Sequence, residues 1–244
     1  FVIISAGIDL SVGSMTALVG GIVIMTLNYF GGGIFAIFMA IVVGILFGFL
    51  LGAINGVIIT RWNVAPFIVT LGTMSIFRSL TLYISGASEF RSTSSIFPEL
   101  GMGYFFMLPI PVWIFFGLTI LYSVLLNHTK YGRYICAVGS NQKVARYSAI
   151  KVKLTRFFAY AIVGINVGIT AILLSSRLNS ISSSGAGTGY ELDAIAAVII
   201  GGTAMSGGSG SVVGTLIGAI ILGIVNNMLN MLGVSPYLQG TVKG

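Results

Sequence analysis

Charge is almost missing from this chain. Charged residues make up 7% of its 244 positions, with five acids against twelve bases, where an ordinary soluble domain carries about 25%. A soluble fold of this length needs a charged surface, and so few ionisable side chains cannot furnish one. One cysteine, Cys136, excludes an internal disulfide and any multi-cysteine metal site. One histidine, His128, excludes a histidine cluster. No G-x-x-x-x-G-K-[ST] run is present, so the chain has no P-loop of its own. The glycines at 185, 187 and 189 and at 207–210 do not follow a strand pattern, which removes a dinucleotide fingerprint. No carboxylate pair has a catalytic spacing inside an apolar run. Glu191 and Asp193 lie two apart at a helix start, where the helix dipole accounts for them. Neither a catalytic centre, a metal nor a cofactor is expected, and the chain is not read as an enzyme.

Apolar residues, in contrast, make up 56%, and mean hydropathy is +1.05. The chain is therefore an all-α, polytopic transmembrane protein. Phe1 stands inside an apolar stretch and residue 244 follows an interfacial one, so 1–244 is read as a single transmembrane domain that continues at both ends. Apolar spans are expected at 15–27, 34–59, 64–83, 104–126, 157–174 and 212–232, the fourth kinked or interrupted by Pro109 and Pro111. Gly44, Gly48, Gly52 and Gly56 recur every four residues on one helix face, a pattern that lets two helix backbones approach. Packing within the subunit is favoured there over dimerisation.

The stretch 185–230 organises the rest. An apolar run from Ala194 to Met205 is only twelve residues long, and a helix that crosses the hydrocarbon layer takes about 20. Ser206-Gly207-Gly208-Ser209-Gly210 breaks it, and a longer apolar run follows, ending in Asn226-Asn227. Such a break at membrane depth is tolerated where it is packed in protein or lines a wet cavity, which predicts a broken helix that crosses or re-enters. Asp9 is the one charge in the first 30 residues. It or Ser11 caps the following helix, or Asp9 lies on a pathway. Arg78, within a span, pairs with a neighbour or snorkels to the headgroups.

Seven of the twelve basic residues fall in 127–156 with no acid among them, and the positive-inside rule puts that loop in the cytoplasm. Residues 139–150 read as a short amphipathic helix outside the membrane, lying on lipid or docking into a soluble partner. No nucleic-acid-reading module accompanies the basic loop. Leu51-Gly52-Ala53-Ile54-Asn55 resembles Leu222-Gly223-Ile224-Val225-Asn226, and Val64-Ala65-Pro66-Phe67-Ile68 resembles Val234-Ser235-Pro236-Tyr237-Leu238. With the loop inside, the copies run in opposite directions, as in an inverted repeat. Chance likeness in apolar sequence is the alternative.

Three stretches carry a family resemblance: GIDLSVGS at 7–14, GRYICAVGSNQKVARYSAIKV at 132–152, and the run from Gly187 to Gln239. Together they resemble the membrane permease subunit of bacterial simple-sugar ABC importers, over nearly the whole chain. The resemblance implies a multi-pass protein of the bacterial inner (plasma) membrane. It implies two permease subunits, identical or paired with a paralogue, and two cytoplasmic ATPase subunits that bind the ATP. A periplasmic or extracellular sugar-binding protein would deliver a simple sugar such as a pentose. By match to its cytoplasmic loop, Gly132, Arg133, Ala137, Gly139, Asn141, Ala145 and Arg146 are the ATPase-coupling candidates. The family commonly has Ser-Gly-Ile where this chain has Ser148-Ala149-Ile150. A sugar path should offer hydrogen bonds without strong charge, so Asp9, Asn55, Thr203, Ser206, Asn226 and Asn227 are translocation-pathway candidates. Helix–helix hydrogen bonding competes for the amides and hydroxyls among them. A non-sugar cargo within the same superfamily, or an ion-driven carrier built around Asp9, are the other readings.

Overall fold

The computed structural model describes residues 1–234. Six helices are long and apolar enough to cross a membrane: α1 (Val12–Tyr29), α2 (Ile34–Trp62), α3 (Pro66–Ser85), α5 (Ile110–His128), α8 (Val152–Leu178) and α10 (Val212–Met231). Between them lie the short helices α4 (Pro98–Met102), α6 (Lys130–Ser140), α7 (Gln142–Tyr147) and α9 (Tyr190–Ile200). Four short strands complete the described residues: β1 (Glu89–Arg91), β2 (Tyr104–Phe105), β3 (Leu108–Pro109) and β4 (Ser180–Ser182). The fold is all-α and polytopic.

α1 is the most buried of the six spans. Its Met15, Leu18, Val19, Val23 and Leu27 form the main core with Ala36, Ala40 and Leu51 of α2, Phe77 of α3, and Val167, Ala171 and Ile172 of α8. α2 and α8 run antiparallel with their backbones in close contact. A Cβ on Gly48 would run into the carbonyl of Gly164, one on Gly52 into the carbonyl of Tyr160, and one on Gly168 into the carbonyl of Gly44. The four-residue glycine pattern thus packs within the subunit. In lipid, apolar side chains gain little by facing one another, so backbone proximity and dispersion hold such a pair. α5 and α10, by contrast, are almost unburied and lie at the rim.

The basic helices α6 and α7 fix the orientation, with the inner ends of α2, α3, α5 and α8 gathered beside them. Val2, Ile4, Ile59, Val69, Leu126, Ile135, Ala159 and Tyr160 make a second core there. At the far end, β1 pairs antiparallel with β4, Phe90 opposite Ile181. Asn28 ties α1 to the same region, donating to the Arg91 carbonyl at 2.8 Å and accepting from the Thr93 N–H at 2.9 Å.

The chain returns from that far end in two unlike halves. Residues 180–189 descend as strand and turns, and α9 carries the path on for 11 residues, about 17 Å. The break begins at Gly201, five residues before the Ser206 expected from sequence, because Gly201 and Gly202 already leave the helix. At Gly208 the chain meets the inner face, where its N–H donates to the Ile4 carbonyl at 2.8 Å. The 194–205 stretch is therefore the inner half of a crossing and does not re-enter. α10 then runs outward against α9, with Gly201 against Gly214 and Ala197 against Gly218.

Three other expectations need correction. Pro109 and Pro111 do not kink a 104–126 span. They sit at the N-cap and in the first turn of α5, where proline suits the helix start, and 104–109 is a β2–β3 hairpin. Residues 139–150 are not one helix: Asn141 ends α6 and caps α7, accepting from the N–H groups of Lys143 at 2.9 Å and Val144 at 3.1 Å. α1 is not capped by a side chain of Asp9 or Ser11. Residues 1–11 are turns and extended chain. Of the repeat, 51–55 and 222–226 lie in α2 and α10, which run in opposite directions, while the 234–238 match falls almost wholly outside the described residues.

The glycine seam makes a directional prediction. Gly48→Ala should lower the unfolding midpoint in detergent, by an overpacking cost of about 1–3 kcal/mol. Gly117→Ala on α5, where a Cβ meets nothing within 4 Å, should hold or raise it, since alanine favours helix by about 1 kcal/mol over glycine. Equal shifts in the two variants would remove the seam as the source of packing.

Candidate functional site

The pathway candidates separate into three places. Asp9 and Asn55 come together with Ser11. Residues 7–11 run extended against α2, so the Asp9 side chain folds back on the backbone two residues ahead. Its Oδ1 accepts from the Ser11 N–H at 2.9 Å and the Ser11 hydroxyl at 2.6 Å. Asn55 Nδ2 donates to Ser11 Oγ at 2.9 Å. Ser11 and Asn55 are fully buried and Asp9 is 8% exposed. Tyr160 closes the inner side, its hydroxyl donating to the Ile8 carbonyl at 3.3 Å. Asp9 Oδ2 and Asn55 Oδ1 have no protein partner, and Asp9 borders a cavity of about 160 Å³ that it shares with Val12, Val163, Ala194 and Ile195. The cluster fixes the non-helical leg 1–11 to α2. It also leaves acceptor oxygens buried where each costs about 1–3 kcal/mol if unpaired.

Thr203 and Ser206 belong to the inner break, Thr203 buried and Ser206 exposed. Asn226 and Asn227 sit on α10 at the rim. Asn227 is exposed, with its amide 4.0 Å from the sulfur of Met231 one turn on. The structure does not bring them to Asp9 and Asn55.

Arg78 makes a second polar centre. Arg78 reaches from α3 to the non-helical leg 180–189, with Nη1 donating to the Ser183 carbonyl and Nη2 to the Ala186 carbonyl, both at 2.9 Å. Those carbonyls have no helix to satisfy them, and an ionised donor makes a strong bond to each. Of the two expectations for Arg78, pairing within the protein holds, and snorkelling to the headgroups does not. Its partners were not visible in the sequence, because they lie more than 100 residues away.

The coupling candidates form one body on the inner face. Arg133, Asn141 and Arg146 are exposed, Ala137 is half-buried, and Gly132, Gly139 and Ala145 are buried. The buried three shape the surface. A Cβ on Gly132 would run into the Leu126 carbonyl, and one on Gly139 into the Ile4 carbonyl. Ala145 packs with Val138 and Val152 between α6, α7 and the start of α8. Around them Lys143, Val144, Arg146 and Tyr147 stand in solvent, Tyr147 at 89% exposure. Burial pushes the Cys136 thiol up, so it is a poor nucleophile at neutral pH. Ala149 ends α7 at φ +59°, the left-handed region. That position normally takes glycine, which explains the glycine of the family pattern: the methyl strains the turn.

Ile4 joins the two regions. Its carbonyl accepts from Gly208 and lies against Gly139. Gly207 and Gly208 both have φ +87°, and a Cβ on Gly208 would meet Ser140. Only glycine lets the break press so close to α6.

A bundle of six spans with two non-helical legs at membrane depth, and a basic helical pair on one face, is the build of a transport protein's membrane subunit. The whole chain, residues 1–244, matches the family described as branched-chain amino acid transport system / permease component, and it belongs to that family. It is 42% identical to the ribose import permease protein RbsC of Haemophilus influenzae, over all of this chain and 75% of that one. It is 43% identical to the RbsC of Bacillus subtilis, again over all of this chain and 75% of that one. With the D-allose transport system permease protein AlsC of Escherichia coli it shares 38%, over all of this chain and 74% of the relative. No solved structure matches the chain. The chain is a multi-pass permease component of the bacterial inner membrane.

The Asp9 cluster predicts a split between two variants. Asp9→Asn keeps an oxygen for both Ser11 donors and should unfold within about 1 kcal/mol of the parent in detergent. Asp9→Ala leaves a buried N–H and hydroxyl unpaired and should cost about 1–3 kcal/mol. Equal losses would mean that the charge, and not the acceptor, holds the leg.

Proposed function

We propose that this chain is the membrane-spanning subunit of an ATP-driven, binding-protein-dependent importer of a simple sugar, with a ribose-like pentose as cargo. The observation that carries this reading is identity of 42–43% across the full chain to proteins that bear the name ribose import permease. The allose permease at 38% keeps the cargo class within simple sugars. The chain lacks a P-loop, so ATP would be bound by two cytoplasmic ATPase subunits. A periplasmic or extracellular sugar-binding protein would present the sugar at the far face. A second permease subunit, a copy or a paralogue, would complete the pathway within the lipid.

The α6–α7 body suits the docking role. An exposed tyrosine and valine ringed by Arg133, Lys143 and Arg146 fit a groove on a soluble partner, with the aromatic as anchor and the bases steering the approach. Gly132, Ala137, Gly139 and Ala145 act from beneath by letting the helices seat against the bundle, and Asn141 sets the turn between them. ATPase movement pressed on α6 would reach the Ile4 carbonyl through Gly139. From there it would reach the break through Gly208 and the Asp9 cluster through residues 5–11. Asp9, Thr203 and Ser206 belong to segments that this movement would displace, while Asn55 holds the Asp9 segment from α2. Asn226 and Asn227, out on α10, take no part in this path.

Uptake of radiolabelled ribose by cells that express the permease with its partner genes tests the reading. With ATP maintained, uptake should survive a protonophore. Arg146→Glu should cut it at least tenfold at unchanged membrane level. Uptake that collapses with the proton gradient would make this an ion-driven carrier, and normal uptake by the Arg146 variant would remove α7 from coupling.

A further inference from the structure

On the far side of the Asp9 cluster the structure has a second, larger cavity of about 430 Å³. One wall is a stripe of α3, where Ser75, Arg78 and Ser79 stand at i, i+3 and i+4. The opposite wall holds Ser14 at the start of α1, Thr188 on the non-helical leg, and Glu191 in the first turn of α9. The cavity lies within the span, since Arg78 is the thirteenth residue of a 20-residue helix. Met74 and Gly187 complete the lining. Four hydroxyls, one guanidinium and one carboxylate at that depth have no use for lipid, where such groups are costly, and belong to a water-filled passage.

The polar groups are only partly engaged. Arg78 spends two of its five N–H donors on the carbonyls of Ser183 and Ala186. Ser75 and Ser14 give their hydroxyl protons back to the Leu71 and Ser11 carbonyls, at 3.3 and 3.0 Å, which leaves their oxygens as acceptors. Ser75, Ser79 and Thr188 are exposed and Glu191 is half-buried. Arg78 and Glu191 cancel in charge, so the cavity offers donors and acceptors without net charge. That is the chemistry of a neutral polyol, which carries both kinds of group and no charge. The volume is in the range of small-ligand sites.

Resting on the sugar-permease reading, we propose that this cavity is a contact station for a monosaccharide on its way through the membrane. Ser75, Ser79, Thr188 and Glu191 exchange hydrogen bonds with the sugar hydroxyls, and Arg78 holds the moving wall in place. Each such bond is weak in net terms, about 0.5–1.5 kcal/mol, so the station orients the sugar and lets it go. None of these five residues lies in the Asp9 cluster or in the α6–α7 body.

The test uses the assembled transporter in a Cys136→Ser background, with Ser79→Cys introduced and Leu121→Cys on the outer face of α5 as a lipid-facing control. A membrane-impermeant, charged methanethiosulfonate is added from the far side. Ser79→Cys should react at least tenfold faster than Leu121→Cys, and ribose-loaded binding protein should slow it at least threefold. Separately, Ser79→Trp should cut ribose uptake at least tenfold and Ser79→Ala by less than threefold. Reaction no faster than at Leu121→Cys overturns the proposal, as does normal uptake by the tryptophan variant. Protection by leucine and not by any sugar also overturns it, replacing a sugar by a zwitterion. Parent uptake separates the two claims. Ribose uptake with an inert Ser79→Cys sinks the station and spares the importer. Absent ribose uptake with protection by another monosaccharide corrects the cargo and keeps the station.

Discussion

The seam between α2 and α8 is the constraint on which the other elements depend. A bilayer interior removes the usual reason for helices to pack, because lipid tails cover apolar side chains as well as a neighbouring helix does. What remains is the contact itself, and Gly44, Gly48, Gly52, Gly164 and Gly168 let two backbones meet with no side chain between them. That antiparallel pair forms a rigid floor. α1 lies across it and fills the core with Met15, Leu18, Val19 and Val23.

The floor permits what lipid would otherwise forbid. Residues 1–11 and 180–189 pass through membrane depth without a helical ladder, so their backbone groups must find partners in protein. The inner leg is held by Asp9, Ser11 and Asn55, and the outer leg by Arg78 and by the pairing of β4 with β1. Each leg is thus fastened by side chains and short strands, which can let go without unwinding a span. Regions of this kind open at lower cost than helices do. The inner leg borders the mostly apolar cavity beside Asp9 and the outer leg the cavity beside Arg78, so the loosest backbone in the bundle adjoins these two charged residues.

Much of this was legible in the chain. Spans expected at 34–59 and 157–174 are α2 and α8, lengthened by a few residues because a helical ladder continues past the point where hydropathy falls. The glycine period, the basic loop and the interrupted crossing before α10 were all readable, since each is a local pattern. Pro109 and Pro111 misled because proline stops a helix and starts one equally well. The strands escaped notice because three residues paired across 90 positions leave no period to detect. Arg78 announced itself, but its carbonyl partners are backbone atoms, and backbone has no sequence. Asn226 and Asn55 look alike in sequence, yet one lies on a rim helix and the other in the core. In a membrane protein both the interior and the outside of a bundle are apolar, so hydropathy does not say which helix is central.

The length of α9 bears on how the protein is made. At 11 residues, with Glu191 and Asp193 in its first turn, it is too short for a translocon to release sideways into lipid as a span in its own right. α10 is long enough, and Gly201, Gly214 and Gly218 let the two helices close as a hairpin. The crossing that contains the break therefore enters the bilayer only once the helix after it has been synthesised. Until then, the polar leg 180–189 must wait in the shelter of α3 and α1, which were built first.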